Sequence, residues 1–253
     1  MSILFSGDFH ANSRDELKLI TKKTLINKYQ KAEYDEIKYH IILGDAGFLW
    51  PGNEKTDLFN YKALANRPFP VLCVMGNHEP ILGMSDVPEV NIGIGEKVLQ
   101  INDNPFVAYL KRGGIYKIEN HRFLVLGGAL SIDKEFRRPN ISWWKREYWD
   151  EAEKVNLFLL LQKHKKFDYV LSHTGPNRIN RIVNTYKTPG ITLKFFDEVA
   201  VLNEEIDERI TCKQWFCGHW HKDIYYFDNN VKKGYQYLYQ QTALLDGDDI
   251  IVL

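Results

Sequence analysis

Short apolar runs recur along the first third of the chain, and each stops at a glycine. Ile3-Leu4-Phe5 ends in Ser6-Gly7, Tyr39-His40-Ile41-Ile42-Leu43 ends at Gly44, and Pro70 to Met75 ends at Gly76. Runs of this length closed by a turn residue predict strands buried on both faces. Between the first two, Ser13 and Glu16 precede Leu17, Leu19, Ile20, Leu25 and Ile26, the signature of a capped helix start. Leu58 to Leu64 also reads as helix. Strands alternating with helices predict a parallel sheet, whose functional groups gather beyond the carboxyl ends of the strands.

The later chain changes character. Gly114 to Ile118 and Arg122 to Leu126 bracket Glu119-Asn120-His121 and predict a hairpin. Trp149 to Lys163 and Asp197 to Ile210 read as helices. Tyr169-Val170-Leu171 and Trp215-Phe216-Cys217 read as buried strands. Ile224 to Phe227, Gln236 to Tyr239 and Ile250 to Leu253 predict antiparallel strands. The expected fold class is α/β (α+β), two packed sheets with helices outside, in a single domain spanning 1–253.

Composition narrows this reading only a little. The 253 residues are 44% hydrophobic and 26% charged, ordinary globular usage. Thirty-three basic residues balance 33 acidic ones, so there is no general attraction to nucleic acid or to an anionic membrane. No apolar run approaches the ~18 residues of a membrane span. The first polar motif arrives at Asp8, which leaves no room for a removable leader. A cytoplasmic location is the expectation. The three cysteines, Cys73, Cys212 and Cys217, form no close pair, which predicts buried thiols rather than disulfides or a thiolate metal site.

The strand ends carry the chemistry. Gly7-Asp8-Phe9-His10, Gly44-Asp45-Ala46-Gly47, Gly76-Asn77-His78-Glu79, Ser172-His173-Thr174-Gly175 and Gly218-His219-Trp220-His221 each follow an apolar run. In extended chain, residues i and i+2 point the same way. Asp8 with His10, and His219 with His221, are therefore expected to aim into one cavity while Phe9 and Trp220 face away. One Asp-x-His is weak; five such strings form a joint signal. Clustered carboxylate, imidazole and amide ligands without thiolate suit divalent Mn, Fe, Co, Ni or Zn.

The order GDxH, GDxG, GNHE, SH, GHxH resembles the calcineurin-like metallophosphoesterase superfamily, over Asp8 to His221. The resemblance implies a four-layer αββα fold, a two-sheet β sandwich flanked by helices. It implies two divalent metal ions, with manganese favoured. Asp8, His10 and His221 would hold the first ion, and Asn77, His173 and His219 the second. Asp45 would bridge them; a carboxylate spans the roughly 3.5–4 Å of a two-metal site. The implied activity is hydrolysis of a phosphomonoester or phosphodiester by a metal-bridging hydroxide. His78 would protonate the leaving group and Glu79 would orient His78.

Substrate contacts rest on weaker signals. From Lys111 to Glu147 nine Lys/Arg face four Asp/Glu, and Arg178, Arg181, Lys187 and Lys194 have no acid among them. Both stretches are candidates for an anion-binding rim, with Arg137 and Arg138 the expected phosphate contacts. Trp143, Trp144, Tyr148 and Trp149 read as a packed flap in preference to a nucleobase platform. The segment from Ser131 to Trp144 is similar to small bacterial and phage phosphoesterases. The arginines of the protein-phosphatase branch are missing near Asp45 and before Gly76. The leading partner is a small or nucleotide-like phosphoester. A nuclease, and a non-catalytic interaction module on the same fold, are the alternatives.

Overall fold

The computed structural model describes residues 2–10, 35–49, 62, 64, 67–101, 107–187 and 196–252. The helix expected after Ser13 and most of the one at 58–64 lie outside these. Fourteen strands form two mixed sheets among the described residues.

The first sheet is built around β1 (Ser2–Ser6), β2 (Ile37–Ile42), β3 (Val71–Cys73) and β6 (Val107–Leu110), all parallel. β4 (Glu89–Val90) and β5 (Val98–Gln100) extend one edge antiparallel. β13 (Thr242–Asp246) and β14 (Asp249–Val252) extend the other, β13 pairing antiparallel with β1. The expected βαβ strands thus form the centre of this sheet. The later chain returns to complete it, which local pattern did not announce.

The second sheet opens with the expected hairpin, β7 (Ile115–Ile118) and β8 (His121–Leu126). β9 (Tyr169–Ser172), β10 (Gln214–Cys217) and β12 (Lys233–Tyr237) follow β8 in parallel, and β11 (Ile224–Asp228) closes the edge antiparallel to β12. Gln236 to Tyr237 was expected in an antiparallel strand. It also pairs in parallel with β10, so parallel strands form the centre of both sheets.

Alternation decides which core each strand residue enters. Ile3 and Phe5 face the other sheet with Ile41, Leu72, Val125, Leu171 and Phe216, while Leu4 faces away with Ile42 and Val71. Phe5 and Phe216 stack across the sandwich, centroids 4.5 Å apart. The outer face of the second sheet is covered by α1 (Glu151–Lys163), α2 (Asn177–Lys187) and α3 (Glu198–Arg209), through Leu157, Leu161, Ile179, Val183 and Ile206. Asp150 caps α1 in a box with Glu153, and Asp197 caps α3. The helix α2 was not foreseen: its start is polar, and its apolar residues are few. No helix among the described residues is long and apolar enough to cross a membrane. All three cysteines are free thiols, Cys73 and Cys217 buried.

Candidate metal centre

Parallel strands deliver their carboxyl ends to one rim, and the pairing continues past the strands. Leu43 N donates to Ser6 O and Val74 N to Ile42 O, which sets the Asp8, Asp45 and Asn77 loops side by side. His10 N donates to Asp45 O at 2.7 Å. In the second sheet Gly218 N donates to His173 O at 2.9 Å. The two rims are stitched together by Gly128 N to Met75 O (2.8 Å), His219 N to the Asp8 carboxylate (2.7 Å) and the His173 ring to Leu43 O (2.8 Å).

Six of the seven expected ligands then converge. Asp8, His10 and His221 form one group able to hold a cation, and Asp8, Asp45 and His173 form another. His10 Nε2 is 3.2 Å from His221 Nε2 and 3.8 Å from Asp45 Oδ2. His173 Nε2 is 3.4 Å from Asp45 Oδ1, 2.9 Å from Asn77 Oδ1 and 3.8 Å from Asp8 Oδ1. Leu43 O can only accept, so His173 donates from Nδ1 and turns Nε2 to the centre. The seventh, His219, lies edge-on to His173 with centroids 5.0 Å apart, outside both groups. Its backbone, rather than its ring, makes the closest link to Asp8.

One observation tests whether cations fit here. Asp8 Oδ1 is buried with no hydrogen-bond partner among the described residues, although it points at His173 and His221. A buried carboxylate oxygen without a donor is costly, and a divalent ion among these oxygen and nitrogen donors satisfies it.

The backbone reaches this arrangement differently from the expectation of extended i, i+2 pairs. His10 (φ 39°), Asp45 (φ 50°), His219 (φ 68°) and His221 (φ 48°) are all left-handed. They are half of the eight non-glycine residues with positive φ among those described, so the strain is concentrated at the site. Phe9 does face the core, as expected. The glycines are required by crowding. A Cβ on Gly44 (φ +95°) would lie 2.2 Å from His173 Nδ1, and one on Gly76 would lie 2.1 Å from Asp45 Oδ1.

Charge is strongly coupled. Burial alone lowers the His173 pKa, but the Asp45 carboxylate, then Asp8 and Leu43 O, lift it well above the ordinary imidazole range. Asp45 is held well below the carboxylate range despite its burial, chiefly by His173. Asp8 is pushed up by burial and, against the pull of His173, by Asp45. The two carboxylates therefore favour the protonated form of His173, and a metal ion would compete with that proton.

The GNHE loop gives one expected result and one correction. His78 is half-buried at the rim, its N–H bonded to Asp45 Oδ1 at 2.9 Å. Burial lowers its pKa, and Arg137 opposes the attraction of Asp45. Glu79 does not orient the His78 ring. It is fully buried, accepting from Ala46 N (2.7 Å) and the Tyr109 hydroxyl (2.5 Å). Its carboxylate ties the Asp45 loop to the Asn77 loop, and burial beside Asp45 raises its pKa to about 8.

Of the two expected phosphate contacts, Arg137 reaches the site and Arg138 does not. Arg137 is oriented by Asp133 (2.7 Å) and Ser142 O (3.1 Å), with Nη2 at 3.4 Å from His78 Nε2. Arg138 is exposed, and among the described residues only its backbone makes hydrogen bonds. The second basic stretch is also corrected at Arg178. That side chain is bound to Asp207, Asp228 and the Tyr235 hydroxyl and works within the fold. Trp144 and Trp149 are buried, as a packed flap requires.

Sequence reasoning missed Ser131, Glu147, Tyr109 and Tyr239. Tyr239 stacks on His221 at 4.5 Å and 10°. None lies in a Gly-flanked ligand string, so nothing local marks them; only Glu147 carries a signal, an acid inside an aromatic run.

A two-sheet sandwich with carboxylates and imidazoles gathered where both sheets end has the makings of a metal-dependent hydrolase, and the sequence says of which class. The sequence pattern of the calcineurin-like phosphoesterases matches residues 1–223, and the chain belongs to that family. No curated protein matches it in sequence. One solved crystal structure shares the fold at TM-score 0.58 with 11% identity, covering 100% of this chain and 98% of its own. Two others align at TM-score 0.48. One is a dimetal phosphatase from Danio rerio (15% identity, 100% and 95% covered), the other the Phosphopantetheinyl Hydrolase from Mycobacterium tuberculosis (10% identity, 94% and 89% covered).

Proposed function

We propose that this chain hydrolyses phosphoesters with two divalent ions. Asp8, His10 and His221 would hold one, and His173 and Asn77 the other, joined by His219 once its ring turns from its edge-on position, with Asp45 within reach of both sets. The observation that supports this reading is that two ligand groups meet at buried acids: Asp45 lies 3.8 Å from His10 and 3.4 Å from His173, and Asp8, common to both groups, has an inner oxygen with no hydrogen-bond partner among the described residues. When bound, the ions supply the positive field that grips a phosphoryl group and the acidity that makes water a nucleophile. Manganese is the first ion to test, because the ligand set is oxygen and imidazole without thiolate.

The protein's own groups do the rest. Arg137, braced by Asp133, offers its guanidinium to the phosphoryl oxygens beside His78. A phosphate placed between Arg137 and His78 removes the cation's repulsion from the ring and favours its protonated form. His78 then donates that proton to the leaving oxygen. The glutamate after it holds the loop instead of the ring. Ile132, Phe136 and Ile141 stand exposed on the segment that carries Arg137, and they suit a small or nucleotide-like organic phosphoester.

Metal content and turnover of p-nitrophenyl phosphate and of its bis ester, with manganese, test this. Hydrolysis of one ester by protein holding two ions is the expected result. Metal-loaded protein inert towards both esters and towards DNA would overturn it in favour of an interaction module.

A further inference from the structure

Beside the metal centre lies a buried polar chain that the hydrolytic reading does not use. Asn77 Nδ2 donates to Ser131 Oγ at 3.0 Å. Ser131 donates twice to Glu147, from Oγ to Oε2 at 2.5 Å and from N to Oε1 at 3.2 Å. Glu147 and Ser131 come from the loop after β8, not from the loops that carry the ligands. Glu147 is fully buried, and Ser131 and Asn77 are nearly so.

Direction is imposed along this chain. As a carboxylate, Glu147 only accepts, so the Ser131 hydroxyl proton is committed to it. Ser131 Oγ is left to accept, and Asn77 must present its NH2 to it. The Asn77 carbonyl is thereby turned the other way, to within 2.9 Å of His173 Nε2. An asparagine amide is nearly symmetric in shape, so packing alone does not select the face that bears oxygen.

The backbone that carries Glu147 is also tied down. Arg112 donates to Arg146 O and Tyr148 O, the carbonyls on either side of Glu147. Trp149 Nε1 donates to Gly127 O, closing the same loop on its other side. A buried carboxylate is costlier to desolvate than the neutral amide of a glutamine. Filling space does not require it; fixing polarity does.

We infer that Glu147, through Ser131, is a positioning residue that fixes the Asn77 amide with its oxygen towards the metal centre. This rests on the reading of Asn77 as a ligand.

The test is manganese binding to Asn77→Ala, Ser131→Ala and Glu147→Gln proteins by calorimetric titration, with metal-free melting curves alongside. Glu147→Gln keeps the volume and loses the imposed direction. The expected result is that it and Ser131→Ala weaken one manganese roughly 10–100-fold, as outer-layer changes do. The other ion stays within a few-fold, and the metal-free melting of Glu147→Gln does not fall. Asn77→Ala should weaken the same ion. Wild-type affinity in Ser131→Ala and Glu147→Gln, with Asn77→Ala impaired, overturns the positioning role alone. Wild-type affinity in all three overturns both it and the ligand assignment of Asn77. Should Glu147→Gln not fold, the small Ser131→Ala change decides between these outcomes.

Discussion

His10 and His221, 211 positions apart in the chain, bring their Nε2 atoms within 3.2 Å of each other. Two imidazole nitrogens aimed at one point gain little from each other, since a single proton satisfies the contact. They gain more as joint donors to a cation beside Asp8. His221→Ala should therefore reduce manganese bound per protein, with little change in metal-free melting, because the ring is half-exposed. Metal analysis after gel filtration checks this. Asp45→Asn should abolish turnover and lower both equivalents.

His78→Ala should leave metal content unchanged. Its kcat should fall roughly a hundred- to ten-thousand-fold on alkyl phosphates, the range for a lost general acid. The loss should be smaller on p-nitrophenyl esters, whose leaving group needs no proton. Equal losses across leaving groups would count against proton donation.

The two adjacent arginines should separate cleanly. Arg137→Ala removes a charge-assisted contact worth about 1.5–3 kcal/mol, so kcat/KM should fall by roughly ten- to a hundredfold. Arg138→Ala should stay within about twofold, as befits a surface change. Steady-state kinetics on one ester, for both variants, decides the matter.

Manganese affinity should rise with pH. The metal-free centre favours a proton on His173, whose pKa is raised, and Asp8 is raised as well. Those protons compete with the cation, so binding releases them and weakens as pH falls. Titration calorimetry in buffers of different ionisation enthalpy should report net proton release at pH 7. Release of none would contradict the charge state described here.

Arg178→Ala should destabilise the fold by about 1–3 kcal/mol, because it removes a donor to the buried Asp207 carboxylate. Turnover per folded molecule should not change. Urea denaturation beside active-site titration separates the two effects.

The chain's own pattern was sufficient for the strands that carry ligands. Strands buried on both faces are continuous apolar runs, and crowding at their ends demands glycine, so Gly44 and Gly76 mark the turns whatever the fold around them. The candidate ligand positions were legible for the same reason: each follows closely on the end of a strand. The pairings of β13 with β1 and of β12 with β10 were less legible, because a return strand takes its partner from distant chain. The role that the family resemblance implies for Glu79 is not the one it has; its carboxylate turns inward to Ala46 and Tyr109, away from the ring next to it.

By itself, then, the sequence determined which side chains reach the rim and that they suit divalent cations, since those depend on residue type and nearest neighbours. Only the tertiary structure decided which of them face each other. It set His10 against His221, bent four candidate ligand residues into left-handed backbone, and placed Ser131 and Glu147 behind Asn77. It also took Arg138 and Arg178 out of the site. Contacts between residues far apart in the chain are fixed by how two sheets pack, and no local pattern encodes that.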